Sequence, residues 1–418
     1  MDAPSIMRPL RAATIVGVIA AGLITTGAAS ASTKCETWGG QAPNVGTGYN
    51  QLYGIAATSA CNGLAVGYYD NGTAYQTLIE RWNGKAWEVQ TSANPGTSAN
   101  DNVLSDVAAL SPKSAWAVGY YDKGPRSPYQ TLIEHWNGKA WKVQKSPNPG
   151  TSANNNQLSG VAALSSKNVW AVGYYDTGTA TKTLIEHWNG KRWSVQSSPS
   201  PGQSCSVRAR EPRAPRRPAI GRVAVAGRVM GLSSVTAASS SNAWAVGQRC
   251  GRHTSQTLVE HWNGRVWKVQ RSPNPGGARN PAGFSGVAAT SPTNAWAVGS
   301  YSKNSRTPGR TLVERWNGDS WKVQASANVN PSRDSNGLFD VAGTSPTSAW
   351  AVGSYGGMLD PAVIERWNGK AWKIQPSANF PDGSLFSVAA VSSQDAWAAG
   401  SYFNSTNDVN QNLILHCC

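Results

Sequence analysis

Glutamate, tyrosine, aspartate and histidine recur at fixed positions in this chain, and such side chains could support acid–base catalysis, sugar binding or metal binding. One glutamate in each of six repeats precedes a His-Trp or Arg-Trp pair. These are Glu80, Glu134, Glu186, Glu260, Glu314 and Glu365. Catalysis by paired carboxylates needs a separation of roughly 5–10 Å, and one glutamate per repeat spreads them farther apart. We expect a structural role instead, in which each buried carboxylate accepts hydrogen bonds from backbone or from a neighbouring repeat.

Three Tyr-Tyr-Asp triplets could bind carbohydrate. An exposed aromatic ring stacks on the apolar face of a sugar, and a neighbouring carboxylate accepts its hydroxyl protons. The ligand-binding candidates are Tyr68, Tyr69, Asp70, Tyr120, Tyr121, Asp122, Tyr174, Tyr175 and Asp176. Later repeats keep a single tyrosine, at Tyr301, Tyr355 and Tyr402. The alternative, which we favour, is that one tyrosine packs between repeats while the aspartate makes a turn.

Histidine occupies a repeat position that holds arginine in other units. The position carries His135, His187, His261 and His416, or Arg81, Arg315 and Arg366. A position that accepts either residue predicts a cationic hydrogen-bond donor rather than a metal ligand. The sequence shows no Ser-His-Asp candidate, phosphate loop or Cys-x-x-Cys pair. We therefore expect no catalytic residues, no metal and no cofactor.

Tryptophan marks the repeat that must position these side chains. All 19 tryptophans except Trp38 recur in an Ala-Trp-Ala-Val-Gly type of run, in a Trp-Asn-Gly turn, or shortly after that turn. The third unit has four strand-like runs, at Leu158–Leu164, Val169–Gly173, Thr183–Trp188 and Arg192–Gln196. An Asn-Gly turn, a strong hairpin signal, joins the last two. Four antiparallel strands at a period of about fifty residues predict an all-β propeller.

Alternation along the second strand separates large side chains from small ones. Trp116 and Val118 lie on one side, and Ala115, Ala117 and Gly119 lie on the other. We expect adjacent blades to nest a bulky face against a small one, because each sheet is packed on both faces.

Seven repeats predict a seven-bladed propeller. Their first strands begin near Leu52, Leu104, Leu158, Leu232, Phe284, Leu338 and Leu385. The last repeat ends at Cys418 without a fourth strand, whereas the segment around Trp38 matches the segment around Trp141. We expect the N-terminal strand at Trp38 to complete the last blade and to remove the open sheet edges. Residues 32–418 then form one domain.

The connections between strands should sort onto two faces of the propeller. Long connections join strands 2 and 3 and join successive blades; they share what we call the long-loop face. Short turns share the opposite, short-loop face. Recognition is expected on the long-loop face, which also carries an Arg-rich insertion at residues 203–231, between blades 3 and 4. Its arginines are Arg208, Arg210, Arg213, Arg216, Arg217, Arg222 and Arg228.

Six cysteines in an exported chain predict disulfides. The candidates are Cys35, Cys61, Cys417 and Cys418, near the seam between the last and first blades, and Cys205 and Cys250 in long loops. We expect Cys35 to bond Cys417 or Cys418, with Cys61 taking the remaining one, and the two long-loop cysteines to pair. Free thiols are the alternative.

The N-terminal segment indicates export. Arg8 and Arg11 precede an apolar stretch that ends in Ala-Ser-Ala at Ala31, which is typical of a secretory signal peptide over residues 1–31. An uncleaved membrane anchor is the alternative. No second stretch of spanning length follows, so we expect an extracellular protein without stable membrane insertion after cleavage. The net charge of +15 suits an acidic cell-surface polymer.

A strand ending in Gly-x-Tyr, then an acidic-aromatic strand, then a tryptophan strand resembles kelch-type propeller repeats over all seven units. Kelch units usually carry Gly-Gly where this chain has Gly-Tyr, Gly-Ser or Gly-Gln. The pattern is also similar to Trp-rich repeats of exported bacterial proteins of unassigned activity. Neither resemblance implies a function, because propellers host many.

The expected function is that of an exported, monomeric, non-enzymatic binding or scaffold module. Its partner would be cell-surface polysaccharide or protein, bound through the long-loop face, and no nucleic acid is expected. Two alternatives stay open. One is an exported enzyme, a polysaccharide-active hydrolase, lyase or oxidase, with its site at the axial mouth. The other is a wall-associated structural protein.

Overall fold

The fold is a seven-bladed β-propeller, as the repeat predicts. The computed structural model describes residues 42–124, 127–150, 153–201, 230–304, 306–356, 361–376 and 382–417. These residues form seven antiparallel sheets. None of them belongs to a helix that could cross a membrane.

The first three blades each contain four strands. Blade 1 comprises β1 (Asn50–Ser59), β2 (Asn62–Asp70), β3 (Tyr75–Trp82) and β4 (Trp87–Gln90). Blade 2 comprises β5 (Asn102–Ser111), β6 (Ser114–Tyr121), β7 (Gln130–Trp136) and β8 (Trp141–Val143). Blade 3 comprises β9 (Asn156–Ser165), β10 (Asn168–Asp176), β11 (Thr181–Trp188) and β12 (Trp193–Val195).

Three further blades repeat this arrangement, and the last has three strands among the described residues. Blade 4 comprises β13 (Gly231–Ser239), β14 (Asn242–Cys250), β15 (Ser255–Trp262) and β16 (Trp267–Val269). Blade 5 comprises β17 (Ala282–Ser291), β18 (Asn294–Tyr301), β19 (Arg310–Trp316) and β20 (Trp321–Gln324). Blade 6 comprises β21 (Ser335–Ser345), β22 (Ser348–Gly356), β23 (Ala362–Trp367) and β24 (Trp372–Ile374). Blade 7 comprises β25 (Gly383–Ala390), β26 (Ala396–Asn404) and β27 (Val409–Cys417).

The first strand of each blade is the innermost. Within a blade the strands pair in chain order, and the first strands of successive blades lie against one another around the axis. Strand β1 also contacts all three strands of blade 7, which closes the circle.

Neighbouring blades nest a bulky face against a small one, which confirms the prediction. Trp116 and Val118 of blade 2 pack against Ala171 and other apolar residues of blade 3. On its other face, blade 2 presents Ala115 and Ala117 to blade 1. Each interface is therefore an apolar core of its own, made of two different faces.

A bulge in each innermost strand, which sequence reasoning did not foresee, sets one residue of every blade into a belt around the axis. The belt consists of Gly54, Asp106, Gly160, Ser234, Gly286, Asp340 and Ser387. The three glycines allow the closest approach between blades. A Cβ on Gly286 would lie 2.7 Å from the Cα of Asp340.

The other belt residues hydrogen-bond to the next blade. The Val161 amide donates to Asp106 Oδ2 over 2.8 Å, and the Val388 amide donates to Asp340 Oδ2 over 3.0 Å. Glycine and a side-chain-bearing residue alternate around the belt until blades 6 and 7. There Ser387 Oγ donates to Asp340 Oδ2 over 2.8 Å and accepts from the Ile55 amide of blade 1 over 3.2 Å.

The start of the described chain lies against blade 7, as the predicted closure requires. The backbone amide of Asn412, in β27, donates to Asn44 Oδ1 over 2.8 Å. The same contact joins Thr131 to Asn148 within blade 2, over 2.9 Å. Asn44 therefore does for blade 7 what Asn148, in the connection that follows blade 2, does for that blade. The predicted strand at Trp38 lies outside the described residues.

Replacing Trp170 by alanine should destabilise the protein by about 3–5 kcal/mol, as large-to-small core changes do. The indole is 1% exposed and packs between blades 3 and 4. Val143→Ala, at a side chain that is 45% exposed, is the matched control and should have little effect. Chemical denaturation measures both, and an unchanged midpoint for Trp170→Ala would contradict the packing.

Gly286→Ala should destabilise by about 1–3 kcal/mol, because the new methyl group has no room against the Asp340 backbone. Ser285→Ala, one residue away and outside the belt, should be nearly neutral. Thermal unfolding of the two variants tests the belt, and equal midpoints would show that this interface is looser than described.

Candidate functional site

The long-loop face carries the candidate site, and its loops are joined to one another. Asn71 Nδ2, between β2 and β3, donates to the Ser98 carbonyl of the connection to blade 2 over 2.8 Å. The two kinds of long connection therefore share one face, as expected.

The second tyrosine of each Tyr-Tyr-Asp triplet packs between blades. Tyr69, Tyr121 and Tyr175 border the apolar interface with the preceding blade. Tyr301, Tyr355 and Tyr402 hold the same position in blades 5 to 7. A position shared by six blades indicates packing.

The aspartates of the triplets lie at the end of the second strand, where the following turn begins. Asp70 Oδ1 accepts the Gly72 amide over 2.8 Å, and Asp122 Oδ1 accepts the Gly124 amide over 3.2 Å. Asp176 Oδ1 accepts the Thr181 hydroxyl over 2.6 Å. These contacts organise the loop that follows each second strand.

The first tyrosine of each triplet occurs in blades 1 to 3 only. Blades 4 to 7 carry Gln248, Ser300, Ser354 and Ser401 at this position. Tyr68 and Tyr174 are buried, and their hydroxyls donate to Gln51 and Gln157 Oε1 over 3.1 Å. Tyr120 is half-buried.

These tyrosines belong to a larger aromatic cluster that sequence reasoning missed. We call it the aromatic mouth; it consists of Tyr53, Tyr68, Tyr75, Tyr120, Tyr129, Tyr174, Phe339 and Phe386. Ring centroids lie 4.4 Å apart for Tyr68 and Tyr75 and 4.6 Å apart for Tyr120 and Tyr129. Its members come from blades 6, 7, 1, 2 and 3 and lie towards the long-loop ends of their strands.

Three members of the mouth are bulge residues of the innermost strands. Tyr53 and Phe386 lie 5.7 Å apart, as do Phe339 and Phe386. The bulge position holds serine in the other blades, at Ser105, Ser159, Ser233 and Ser285. Strict strand alternation could not locate this position, but three aromatic residues replacing serine were a readable signal.

Four phenols of the mouth, those of Tyr53, Tyr68, Tyr75 and Tyr120, stay neutral at physiological pH. Burial, reinforced by neighbouring phenols and carboxylates, raises the pKa of Tyr53 and of Tyr75 to about 12. The same causes raise the pKa of Tyr68 and Tyr120 well above the ordinary value. Neutral phenols both donate and accept hydrogen bonds.

Asp101 lies beside the mouth. Its Oδ1 accepts the Tyr75 amide over 3.0 Å. Burial, followed by the charge of Asp101, raises the pKa of Asp122. The mouth therefore combines partly exposed rings with carboxylate and amide oxygens.

The repeated glutamates serve the interfaces between blades, as expected. All six are fully buried. Five accept a hydrogen bond from a serine in the connection of the preceding blade; for example, Ser92 Oγ lies 2.9 Å from Glu134 Oε1. Ser92 also lies 2.7 Å from Thr77 Oγ1 of its own blade, so the serine links the two blades.

Glu80, at the seam between blades 7 and 1, has a different partner. Asn412 stands where blades 1 to 5 have threonine, and Ala42 stands where they have serine. Asn412 Nδ2 spans the gap directly and donates to Glu80 Oε1 over 2.8 Å. With asparagine in place of threonine and alanine in place of serine, the buried glutamate still receives a hydrogen bond from the preceding blade.

Burial raises the pKa of every glutamate in this set, and the hydrogen bonds counteract it only in part. The pKa rises to about 8 for Glu80, Glu186 and Glu314. It rises to about 7 for Glu134, Glu260 and Glu365.

The free energy of unfolding should therefore fall as the pH rises from about 5 to about 8. The folded-state pKa lies above the ordinary value of 4.5, so the stabilisation is complete below that value and is lost through the folded pKa. Glu186→Gln should remove up to about 1.4 kcal/mol per pH unit of that slope. Glu88→Gln, at an exposed glutamate, should leave the slope unchanged. Urea denaturation across this range measures it, and a slope that Glu186→Gln does not alter would contradict the assignment.

The shared His and Arg position covers a tryptophan with a planar group, which the sequence did not predict. The expected cationic donor is confirmed for the arginines: Arg315 Nε donates to Asn294 Oδ1 over 2.8 Å, and Arg366 Nη2 donates to the Ser393 carbonyl over 2.6 Å. His135 stacks on Trp116 at 4.1 Å between ring centroids, and the Arg315 guanidinium lies 5.1 Å from the Trp296 ring. Burial lowers the pKa of His135, His187 and His261, so these imidazoles are neutral. The two residue types share a planar group and a nitrogen that hydrogen-bonds to the second strand, as His187 Nε2 does with Asn168 Oδ1 over 3.0 Å.

The cysteines agree with the expectation only in part. Cys61 has a free and exposed thiol, so the disulfide considered for it is absent; it lies at the tip of the turn between β1 and β2. Cys250 and Cys417 are buried and disulfide-bonded. Their partners lie outside the described residues, as do Cys35, Cys205 and Cys418, so the pairing stays a prediction.

The seven arginines of the insertion also lie outside the described residues. Within the part of the chain that the structure describes, no three His, Cys, Asp or Glu side chains are placed to hold a metal ion.

Comparison with known proteins finds the fold alone. No protein-family model and no curated protein matches this chain. Similar solved structures include YCF48 bound to a D1 peptide, with 13% identity and a TM-score of 0.50 over 91% of this chain and 96% of that one. Another is a GH74 xyloglucanase from Xanthomonas campestris, with 14% identity and a TM-score of 0.49 over 90% of this chain and 55% of that one. A third is the six-bladed fucose-recognising lectin of Aleuria aurantia, with 12% identity and a TM-score of 0.44 over 79% of this chain and 97% of that one.

At these low identities the likenesses concern the propeller fold and no particular family. They give no specific support to the kelch resemblance.

Proposed function

We propose that this protein is an exported, non-enzymatic binding module that holds a polysaccharide chain at the aromatic mouth. The observation that carries the proposal is a departure from the repeat. A tyrosine needed for the fold would recur in every blade, as Tyr69 and its equivalents nearly do. The first tyrosines are confined to blades 1 to 3, and the aromatic bulge residues are confined to blades 6, 7 and 1. The four remaining blades lack them in each case, and the two sets lie together.

The chemistry of the mouth suits sugar. Partly exposed rings such as Tyr75 and Tyr129 can stack on the apolar face of a pyranose. The neutral phenols and the carboxylate of Asp101 can exchange hydrogen bonds with sugar hydroxyls. The rings are held by neighbouring rings, so little side-chain entropy is lost on binding.

The carboxylates nearest the axis favour binding over catalysis. Asp106 and Asp340 belong to the belt, and burial raises their pKa to about 7 and about 6. Both oxygens of each accept backbone amides: those of Val107 and Val161 for Asp106, and those of Val341 and Val388 for Asp340. Carboxylates engaged in this way hold blades together and are poorly placed to exchange protons with a substrate.

Affinity electrophoresis of the mature chain in gels that contain soluble polysaccharides tests the proposal. Tyr75→Ala and Tyr129→Ala should each weaken binding roughly tenfold, because each removes a stacking ring. Tyr75→Phe keeps the ring and should retain most of the affinity. Circular dichroism and thermal unfolding confirm that each variant is folded.

Two results would overturn the proposal. One is a folded wild-type chain that binds no polysaccharide in the panel. The other is unchanged binding by folded Tyr75→Ala and Tyr129→Ala. Val143→Ala, on an outer strand, is the control that should bind normally.

A further inference from the structure

Cations are most numerous in one part of the long-loop face. The described loops of blades 1 to 3 carry Asp101 and Asp122 beside the aromatic mouth, and they also carry the exposed Lys123 and Lys145. The loops of blades 4 to 6 carry a larger set of cations. We call these the cationic arc; it consists of Arg252, Arg279, Lys303, Arg306, Arg310 and Arg333.

The arc lies on loops that are joined to one another. Asn280 Nδ2, next to Arg279, donates to the Lys303 carbonyl over 2.9 Å. The Asn336 amide at the start of blade 6 donates to the Gly309 carbonyl, next to Arg310, over 2.9 Å. These bonds place the loops of blades 4, 5 and 6 side by side.

The charges of the arc are not neutralised within the described chain. Five of the six side chains are exposed, and Arg310 is half-buried. Its Nε is buried without a hydrogen-bond partner among the described residues. In the same part of the chain, the one ion pair is His416–Asp395, on the opposite face. Asp334, the acid nearest the arc, accepts from Asn330 Nδ2 over 3.1 Å.

We infer that the ligand is a polysaccharide that bears carboxylate or sulfate groups, with its anionic groups on the cationic arc and its sugar rings on the aromatic mouth. This inference rests on the proposed function, because it names the class of chain bound there. Guanidinium groups match carboxylate and sulfate oxygens in a two-pronged geometry. A cluster of unpaired cations also attracts a polyanion over a distance set by the salt concentration.

The arrangement of the rings in the aromatic mouth favours a polysaccharide over a nucleic acid as the ligand. Its rings pack edge to face and tilted within a fixed cluster; the Tyr53 and Phe386 planes, for example, meet at 60°. Partly exposed ring faces and edges of this kind suit individual pyranoses. A single-stranded nucleic acid instead needs a series of open ring faces along a groove.

Polygalacturonate and its fully methyl-esterified form are the probes, because they share a backbone and differ in charge. The test variant combines Arg279→Gln, Lys303→Gln and Arg306→Gln, all at exposed residues. The control combines Lys139→Gln, Lys191→Gln and Lys370→Gln, which removes the same charge from exposed turns of the short-loop face. Binding is measured by calorimetry at about 0.01 M and about 1 M salt, where the Debye length is about 30 Å and about 3 Å.

The wild type and the control should prefer polygalacturonate at least about tenfold at low salt, and the preference should shrink at high salt. The arc variant should lose the preference and still bind the methyl ester. Equal binding of the two polymers by the wild type would overturn the inference and leave the proposed function standing. So would an equal loss in the arc variant and the control, which would show a response to net charge alone.

Two outcomes separate the inference from the proposed function. Tyr75→Ala should weaken binding of both polymers; if it weakens neither, the mouth is not the site, whatever the arc does. If single-stranded DNA binds more tightly than polygalacturonate, the occupant is a nucleic acid and the polysaccharide class is wrong.

Discussion

Face-to-face packing of blade on blade is the constraint on which this structure depends. Each sheet is covered on both sides by another sheet of the same kind, so one face must be bulky where the next is small. Trp116 against Ala171 shows the fit in one interface. Any polar group placed between blades must then find its partner in the neighbouring blade, because water is excluded. The glutamate–serine contacts, the belt and the planar covers over tryptophan all meet that requirement.

The repeat is altered at both interfaces of the last blade. Glycine and a side-chain-bearing residue can alternate around an even number of blades, but seven blades leave two side-chain-bearing positions adjacent. These are Asp340 and Ser387, and a hydrogen bond joins them. At the next interface, between blades 7 and 1, Asn412 replaces the threonine–serine pair that reaches the glutamate elsewhere. Small changes of side chain thus accommodate the odd number of blades and the break in the chain between blades 7 and 1.

Departures from the repeat carry the information about function. Positions that recur in nearly every blade, such as that of Tyr121, serve the shared packing problem. Tyr53, Tyr68, Tyr120 and Phe386 occupy two repeat positions that are aromatic in only three blades each, and the fold brings them together at the long-loop face. The loops of blades 4 to 6 carry more cations than the described long loops of blades 1 to 3, although Lys303 has an equivalent in Lys123 of blade 2. A face of this kind offers an extended, anionic chain two different surfaces.

The amino-acid sequence by itself determined the architecture. Tryptophan spacing, strand alternation and Asn-Gly turns are local signals, and local signals repeated seven times suffice for blade number, strand order and the packing of faces. The sequence also identified Glu134 and its equivalents as structural. It could not determine the belt, because a bulge shifts the alternation by one residue and depends on the close approach of the next blade. Only the tertiary structure joined Tyr53 to Tyr68 and Phe386, and Arg279 to Lys303, because residues far apart in the chain become neighbours through the closure of the circle and the pairing of loops.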